Sequence, residues 1–190
     1  MEYTNTQTDT LQAILNDALR YCCPQIAQDA SIQQALQDTS IVTQDELGHV
    51  MLTVSGIEFC AVTILHYPNG EHAKQAYFKL RAEESTSSAT PNWEPFYTEM
   101  GNHLCGRIKN YFHQQYEHLG MSTPWLLSAT TDLVELNNPH LQASGHVLYT
   151  CNNLPILGAS LYVFSAAPMQ LHKPKLDSSE PTSTGELEFF

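Results

Sequence analysis

The chain holds 190 residues, long enough for one domain with a sizeable core, and its 42% hydrophobic against 15% charged residues is a globular composition. Eight Lys and Arg against twenty Asp and Glu leave a formal net charge of −12, and through residue 70 Arg20 is the only cation against eight acids. Such a chain has no cationic footprint for phosphate backbones or anionic lipid, which argues against nucleic-acid and membrane-surface binding and leaves a protein or a small molecule as partner.

The opening Met-Glu-Tyr-Thr-Asn-Thr lacks the basic-then-apolar order of a signal peptide, and no run approaches the roughly 18 apolar residues of a membrane span. Five cysteines (Cys22, Cys23, Cys60, Cys105, Cys151) follow neither a C-x-x-C nor a secreted spacing. They read as free thiols in a reducing compartment, so the expected location is cytoplasmic. The vicinal pair Cys22-Cys23 is a candidate redox switch, although nothing basic lies beside it in sequence to favour a thiolate.

In chain order, Leu11, Ile14, Leu15, Ala18, Leu19 and Cys22 fall at helical spacing, with Asp9 or Thr10 as the expected N-cap and Pro24 as the bend or end. Residues 29–46 are Gln- and Asp-rich and weakly patterned. From Val50 to His66 the chain is rich in Val, Ile, Thr and Phe and broken only at Ser55-Gly56, which predicts a hairpin closed by a tight turn. Tyr67-Pro68-Asn69-Gly70 ends its second strand. Ala73, Ala76, Tyr77 and Leu80 mark a short amphipathic helix, and Ser85–Pro91 reads as a loop. Asn92 suits an N-cap for a helix from Trp93 to about His118, with Pro95 tolerated in the first turn. Strands are expected at 124–129, 146–151 and 156–165. The Pro-, Ser- and acid-rich stretch from 168 reads as a flexible acidic tail after a domain spanning 1–167. This order predicts an α+β domain with an antiparallel sheet.

The helix over 93–118 carries the most information. Placed at 100° per residue, one half holds Trp93, Tyr97, Met100, Gly101, Leu104, Cys105, Ile108, Tyr111, Phe112 and Tyr116, a core face. The other half holds Glu99, Asn102, His103, Gly106, Arg107, Lys109, Asn110, His113 and Gln114. Glu99 and Asn102, three residues apart, lie side by side, and Gly106 follows one turn on. A glycine in mid-helix costs roughly 1 kcal/mol relative to alanine. On an exposed face it could admit the backbone of another molecule; an ordinary solvated face with an incidental glycine is the plain alternative.

The stretch Glu99-Met-Gly-Asn102-His-Leu-Cys-Gly106 on one long helix resembles the E-x-x-N…G motif of the CheC/CheX chemotaxis phosphatase family. Leu119-Gly120-Met121-Ser122-Thr123-Pro124 resembles that family's exit from the motif helix into the next strand, and Val54-Ser55-Gly56 its first strand pair. The resemblance runs from about Thr10 to Phe164 and is clearest over 93–128. It implies an antiparallel sheet packed against two long helices with an internal pseudo-repeat. The first helix offers Ala13-Ile-Leu-Asn16 at the equivalent place without the acid, which implies a single active site, as in CheX-like members.

What the resemblance implies in chemistry is hydrolysis of the aspartyl phosphate of a phosphorylated CheY-like receiver. Asn102 would hold the attacking water in line with phosphorus and Glu99 would salt-bridge a receiver lysine. His103, Gly106, Arg107, Lys109 and His113 would complete the partner face. The receiver supplies Mg²⁺, so this chain needs no cofactor or metal of its own, and a homodimer is implied. A second class of function, a non-catalytic adaptor that binds the receiver or pairs with itself, would use the same face; only the decay rate of the receiver phosphate separates the two.

Other constellations carry less. The nine histidines show neither H-x-x-x-H nor H-E-x-x-H spacing, and Ser122 and Ser128 lack a G-x-S-x-G elbow. The terminal Glu186-Leu-Glu-Phe-Phe190 is either a docking peptide or a disordered end.

Overall fold

The apolar stripe of the first helix closes onto the core as its spacing requires. In the computed structural model, which describes residues 5–35, 47–81, 93–127 and 138–172, Leu11, Ile14, Leu15, Ala18 and Leu19 are all buried. This helix, α1 (Asn5–Cys22), starts ahead of the expected cap. Thr10 sits inside it, its hydroxyl donating back to the Thr6 carbonyl at 2.8 Å. That bond one turn back satisfies a hydroxyl that would otherwise compete for the backbone. Pro24, which has no N–H to continue the ladder, caps the one-turn α2 (Gln25–Gln28) with φ of −57°.

The weakly patterned stretch then contributes β1 (Ile32–Gln34), a strand that sequence reading does not anticipate; residues 36–46 lie outside the described residues. The expected hairpin is β2 (Leu47–Ser55) and β3 (Phe59–Pro68), paired from Leu47↔Pro68 to Ser55↔Cys60. The Gly56 N–H donates to the Phe59 carbonyl at 3.0 Å, which closes the turn around Ile57 and Glu58. Gly70, in the left-handed region at φ 62°, admits the short helix α3 (Glu71–Arg81). The Ser85–Pro91 loop and the Asn92 cap fall outside the described residues.

Next come α4 (Trp93–His113), β4 (Gly120–Met121), β5 (Trp125–Leu127), β6 (Leu141–Cys151) and β7 (Leu154–Ser165). The α4 helix stops five residues short of His118. Its end tightens through Gln114 N–H to Tyr111 O (3.2 Å) and Gln115 N–H to Phe112 O (3.0 Å), and His118 turns left-handed at φ 58°. Asn152 and Asn153 (φ 53° and 64°) form the two-residue turn that joins β6 to β7.

The result is α+β: a seven-stranded sheet, antiparallel at every pairing, ordered β1-β6-β7-β3-β2-β4 with β5 also on β2. Among the described residues α1 and α4 are the longest helices, and both pack on one face of it. Gly145 of β6 admits α1, since a Cβ there would lie 2.8 Å from Leu11 Cβ and 3.0 Å from the Gln12 nitrogen. Gly101 of α4 meets β2, where a Cβ would lie 3.0 Å from Val50 Cγ1 and 3.1 Å from Leu52 Cδ1. Leu15, Leu104, Ile108, Val50, Leu52, Leu65, Val147 and Leu161 fill the layer between, each fully buried large side chain contributing roughly 1.5–3 kcal/mol. Beyond β7 the chain returns to this core: Met169 is buried, its carbonyl accepting from Gln7 Nε2 at 2.7 Å, and Leu171 packs alongside. Residues 173–190 of the expected tail lie outside the described residues.

Candidate functional site

The face predicted to be apolar on α4 is the buried one: Tyr97, Met100, Gly101, Leu104, Cys105, Ile108, Tyr111 and Phe112 all face the core. The opposite face is therefore presented to solvent with Glu99 and His103 exposed and Asn102 and Gly106 half-buried. Glu99 Oε1 lies 3.1 Å from His103 Nε2 one turn on, a pair with side chains 67% and 52% exposed. In that much water such a pair is worth a few tenths of a kcal/mol and leaves Glu99 free to exchange partners. The Asn102 carboxamide has no hydrogen-bond partner among the described residues. A Cβ at Gly106 would meet nothing within 4 Å, so the fold itself does not require glycine there.

The remaining predicted residues are placed differently. Arg107 turns aside to α1: its Nη2 lies 3.3 Å from Asp17 Oδ2, and its guanidinium stacks 4.6 Å from the Tyr21 ring. Tyr111 donates its hydroxyl to the same Asp17 oxygen. Burial first, and then that carboxylate, pushes the Tyr111 phenol up to about 12, so it stays a donor. His113 places Nδ1 3.2 Å from the Tyr116 carbonyl at the helix end. Lys109 is half-buried on the flank opposite Arg107. Glu99, Asn102, His103 and Gly106 thus share one stripe, from which Arg107 and His113 are drawn off by local partners.

Asn16 of α1 is engaged at both ends. Its Oδ1 accepts from the Tyr149 hydroxyl and its Nδ2 donates to Gln34 Oε1 at 3.2 Å. The exit from α4 is pinned to β2: Gly120 and Met121 pair with Ser55 and Val54, and Ser122 bonds Thr53 through both its nitrogen (3.0 Å) and its hydroxyl (2.9 Å). That bonding gives Ser122 a structural use.

Sequence reading missed two clusters. Asp17 is named by no local motif, being 90 residues from Arg107. The other is a row across the sheet face opposite the helices. His49 Nδ1 lies 2.9 Å from His66 Nδ1, His66 Nε2 lies 2.7 Å from Ser160 Oγ, and Ser160 Oγ lies 2.9 Å from His146 Nδ1. The signal for the first pair was present, because a hairpin closed at Ser55↔Cys60 sets His49 opposite His66. Among the described residues no group of three or more His, Cys, Asp or Glu could hold a metal ion. The five cysteines are free; burial raises the Cys23 thiol and pushes Cys22 and Cys105 up to about 12. A vicinal pair held so firmly as thiols is poorly suited to redox switching. No helix among the described residues is long and apolar enough to cross a membrane.

With the geometry in hand, the fold can be placed: it is that of the CheX- and CheC-like chemotaxis proteins. The chain matches a chain in the crystal structure of the CheX–CheY–BeF3–Mg²⁺ complex from Borrelia burgdorferi at TM-score 0.54 and 13% identity, covering 83% of this chain and 97% of that one. It matches a chemotactic CheC-like protein from Shewanella oneidensis MR-1 at TM-score 0.51 and 14% identity, covering 82% and 97% respectively. No protein-family model matches the chain, and no curated protein matches it.

Proposed function

We propose that this protein is a phosphatase for the aspartyl phosphate of a CheY-like receiver, with the exposed stripe of α4 as its active face. The observation that carries the reading is the open stripe itself. Asn102 offers an unengaged carboxamide beside an exposed Glu99, and one turn on is a glycine for which the chain's own packing has no use. A fold shared with a chain crystallised in a CheX–CheY complex supports a receiver as partner.

An acyl phosphate is already activated, and the receiver's own Mg²⁺ handles charge on the phosphoryl oxygens. The phosphatase has to hold one water in line. The Asn102 carbonyl accepts a hydrogen bond from that water, the water oxygen attacks phosphorus, the bond from phosphorus to the receiver's carboxylate breaks, and the water's protons stay with the phosphate that leaves. Inorganic phosphate and the free aspartate result. Glu99 meets a receiver lysine, exchanging His103 for it, and Gly106 lets the receiver's backbone approach the helix. A hundredfold acceleration needs only about 2.7 kcal/mol, within reach of positioning alone.

The test is the decay of phosphorylated CheY-like receivers from the same genome, with and without the protein. Faster decay with wild-type protein and none with Asn102→Ala supports the mechanism; wild-type decay with Asn102→Ala refutes it. Glu99→Ala should weaken binding as well as rate. A homodimer belongs to the same proposal, and exposed Met121, Trp125 and Leu126 along β4 and β5 support an apolar contact at that edge of the sheet. Light scattering on wild type and Trp125→Asp decides it.

A further inference from the structure

Resting on that reading of α4, we propose that Asp17 is a positioning residue: with Arg107 and Tyr111 it sets the rotation of α4 and so the aim of Asn102. The two donors leave α4 one turn apart and converge on a single carboxylate oxygen of α1. Arg107 is further held between two aromatic rings, 4.6 Å from that of Tyr21 and 5.2 Å from that of Tyr111. Its Nε is buried without a partner among the described residues, and the side chain is only 20% exposed. A guanidinium kept in that setting is committed to Asp17 and is not spare charge for a partner.

The placement along the helix gives the device its purpose. Gly101 fixes α4 against Val50 and Leu52 just before Asn102. The Asp17 attachment fixes it again just after Gly106. The stripe from Asn102 to Gly106 lies between the two anchors, so it cannot turn without breaking one of them. A side-chain tip sits roughly 5–6 Å from the helix axis, so a 20° turn moves it by about 2 Å. Misplacement by 1 Å can cost on the order of a hundredfold in rate. The buried side chains from Tyr97 to Phe112 hold α4 down on the sheet, and the Asp17 oxygen adds a lateral hold from α1 against that turn.

The test begins on the free protein, without any receiver. In Asp17→Ala, hydrogen exchange of the amides over 99–110 should quicken by about tenfold or more while those of β3 and β7 keep the wild-type rate. Tyr111→Phe, which removes one donor and keeps the ring, should shift the same amides less. Unchanged exchange over 99–110 in both variants overturns the proposal. With a phosphorylated receiver, Asp17→Ala should lower kcat by about tenfold while KM and a calorimetric binding stoichiometry stay at wild-type values. A normal kcat in that folded variant also overturns it. If wild-type protein speeds no receiver's decay, the phosphatase reading fails by itself, and the exchange measurement still decides whether Asp17 holds α4.

Discussion

Asn16 and Asn102 are the same residue on the two longest described helices, and the fold treats them in opposite ways. On α1 the carboxamide accepts from Tyr149 at one end and donates to Gln34 at the other, tying the helix to β6 and β1. On α4 it meets no partner among the described residues, on a face where Glu99 is exposed and Gly106 opens a gap. A polar side chain placed in protein is normally satisfied by protein. The saturated asparagine therefore belongs to the architecture, and the open one is available to something outside the chain.

The hardest strain on that contrast comes from Asn102→Ala. Loss of the group proposed to hold the water should cost at least a hundredfold in receiver dephosphorylation, about 2.7 kcal/mol, while the thermal midpoint stays within a degree or two of wild type. A large drop in melting temperature instead would mean that Asn102 also serves the fold.

A second saturated set tests the other half of the contrast. The row His49–His66–Ser160–His146 is satisfied with neutral imidazoles, each ring nitrogen in it giving or taking one hydrogen bond. Burial, with the neighbouring His49 and His146, holds His66 down to about 3 from an ordinary 6.5. Folded, it stays neutral; unfolded, it takes up a proton as the pH falls through 6.5. The unfolded chain thus binds more protons between those values, and stability must fall with pH. From His66 alone the loss is roughly 2 kcal/mol between pH 7 and 5. Denaturant midpoints at pH 7 and 5 should show it, and His66→Gln should flatten the dependence. Equal slopes in both proteins would show that other groups carry the acid sensitivity.

The third expectation is Asn16→Ala, which leaves the Tyr149 hydroxyl and the Gln34 amide without their partner. Stability should drop by about 1–2 kcal/mol, with receiver dephosphorylation per folded molecule unchanged. Lost activity in a stable variant would break the contrast outright, because it would make α1 a second working face.

What was legible in the sequence divides along the same line. The apolar half of α4 and the exposed stripe were readable because helical periodicity is local, and Glu99, Asn102 and Gly106 all lie within eight residues. The β2–β3 hairpin was readable from its Val, Ile and Thr content around Ser55-Gly56. The saturated clusters were not, since Asp17 meets Arg107 across 90 positions and Asn16 meets Tyr149 across 133. The β1 strand, Ile-Gln-Gln with only Ile32 buried, exists because β6 runs beside it, which no local propensity announces. Thr10, a good cap by type, became an interior residue once its hydroxyl found the Thr6 carbonyl.

The smallest effect is also the sharpest comparison, because it sets two glycines of one helix against each other. At Gly101 a Cβ would press on Val50 and Leu52, both essentially unexposed and unable to give way, so Gly101→Ala should lose about 1 kcal/mol net despite its better helix propensity. At Gly106 the Cβ enters open space, so Gly106→Ala should gain up to about 1 kcal/mol by restricting the unfolded chain. Thermal melts of the two variants should therefore move in opposite directions. The stabilised Gly106→Ala protein should nevertheless bind a phosphorylated receiver more weakly, because the methyl would stand in the gap proposed for a partner's backbone. If it binds as tightly as wild type, the gap at Gly106 serves no partner, and Asn102 with Glu99 must carry the docking alone.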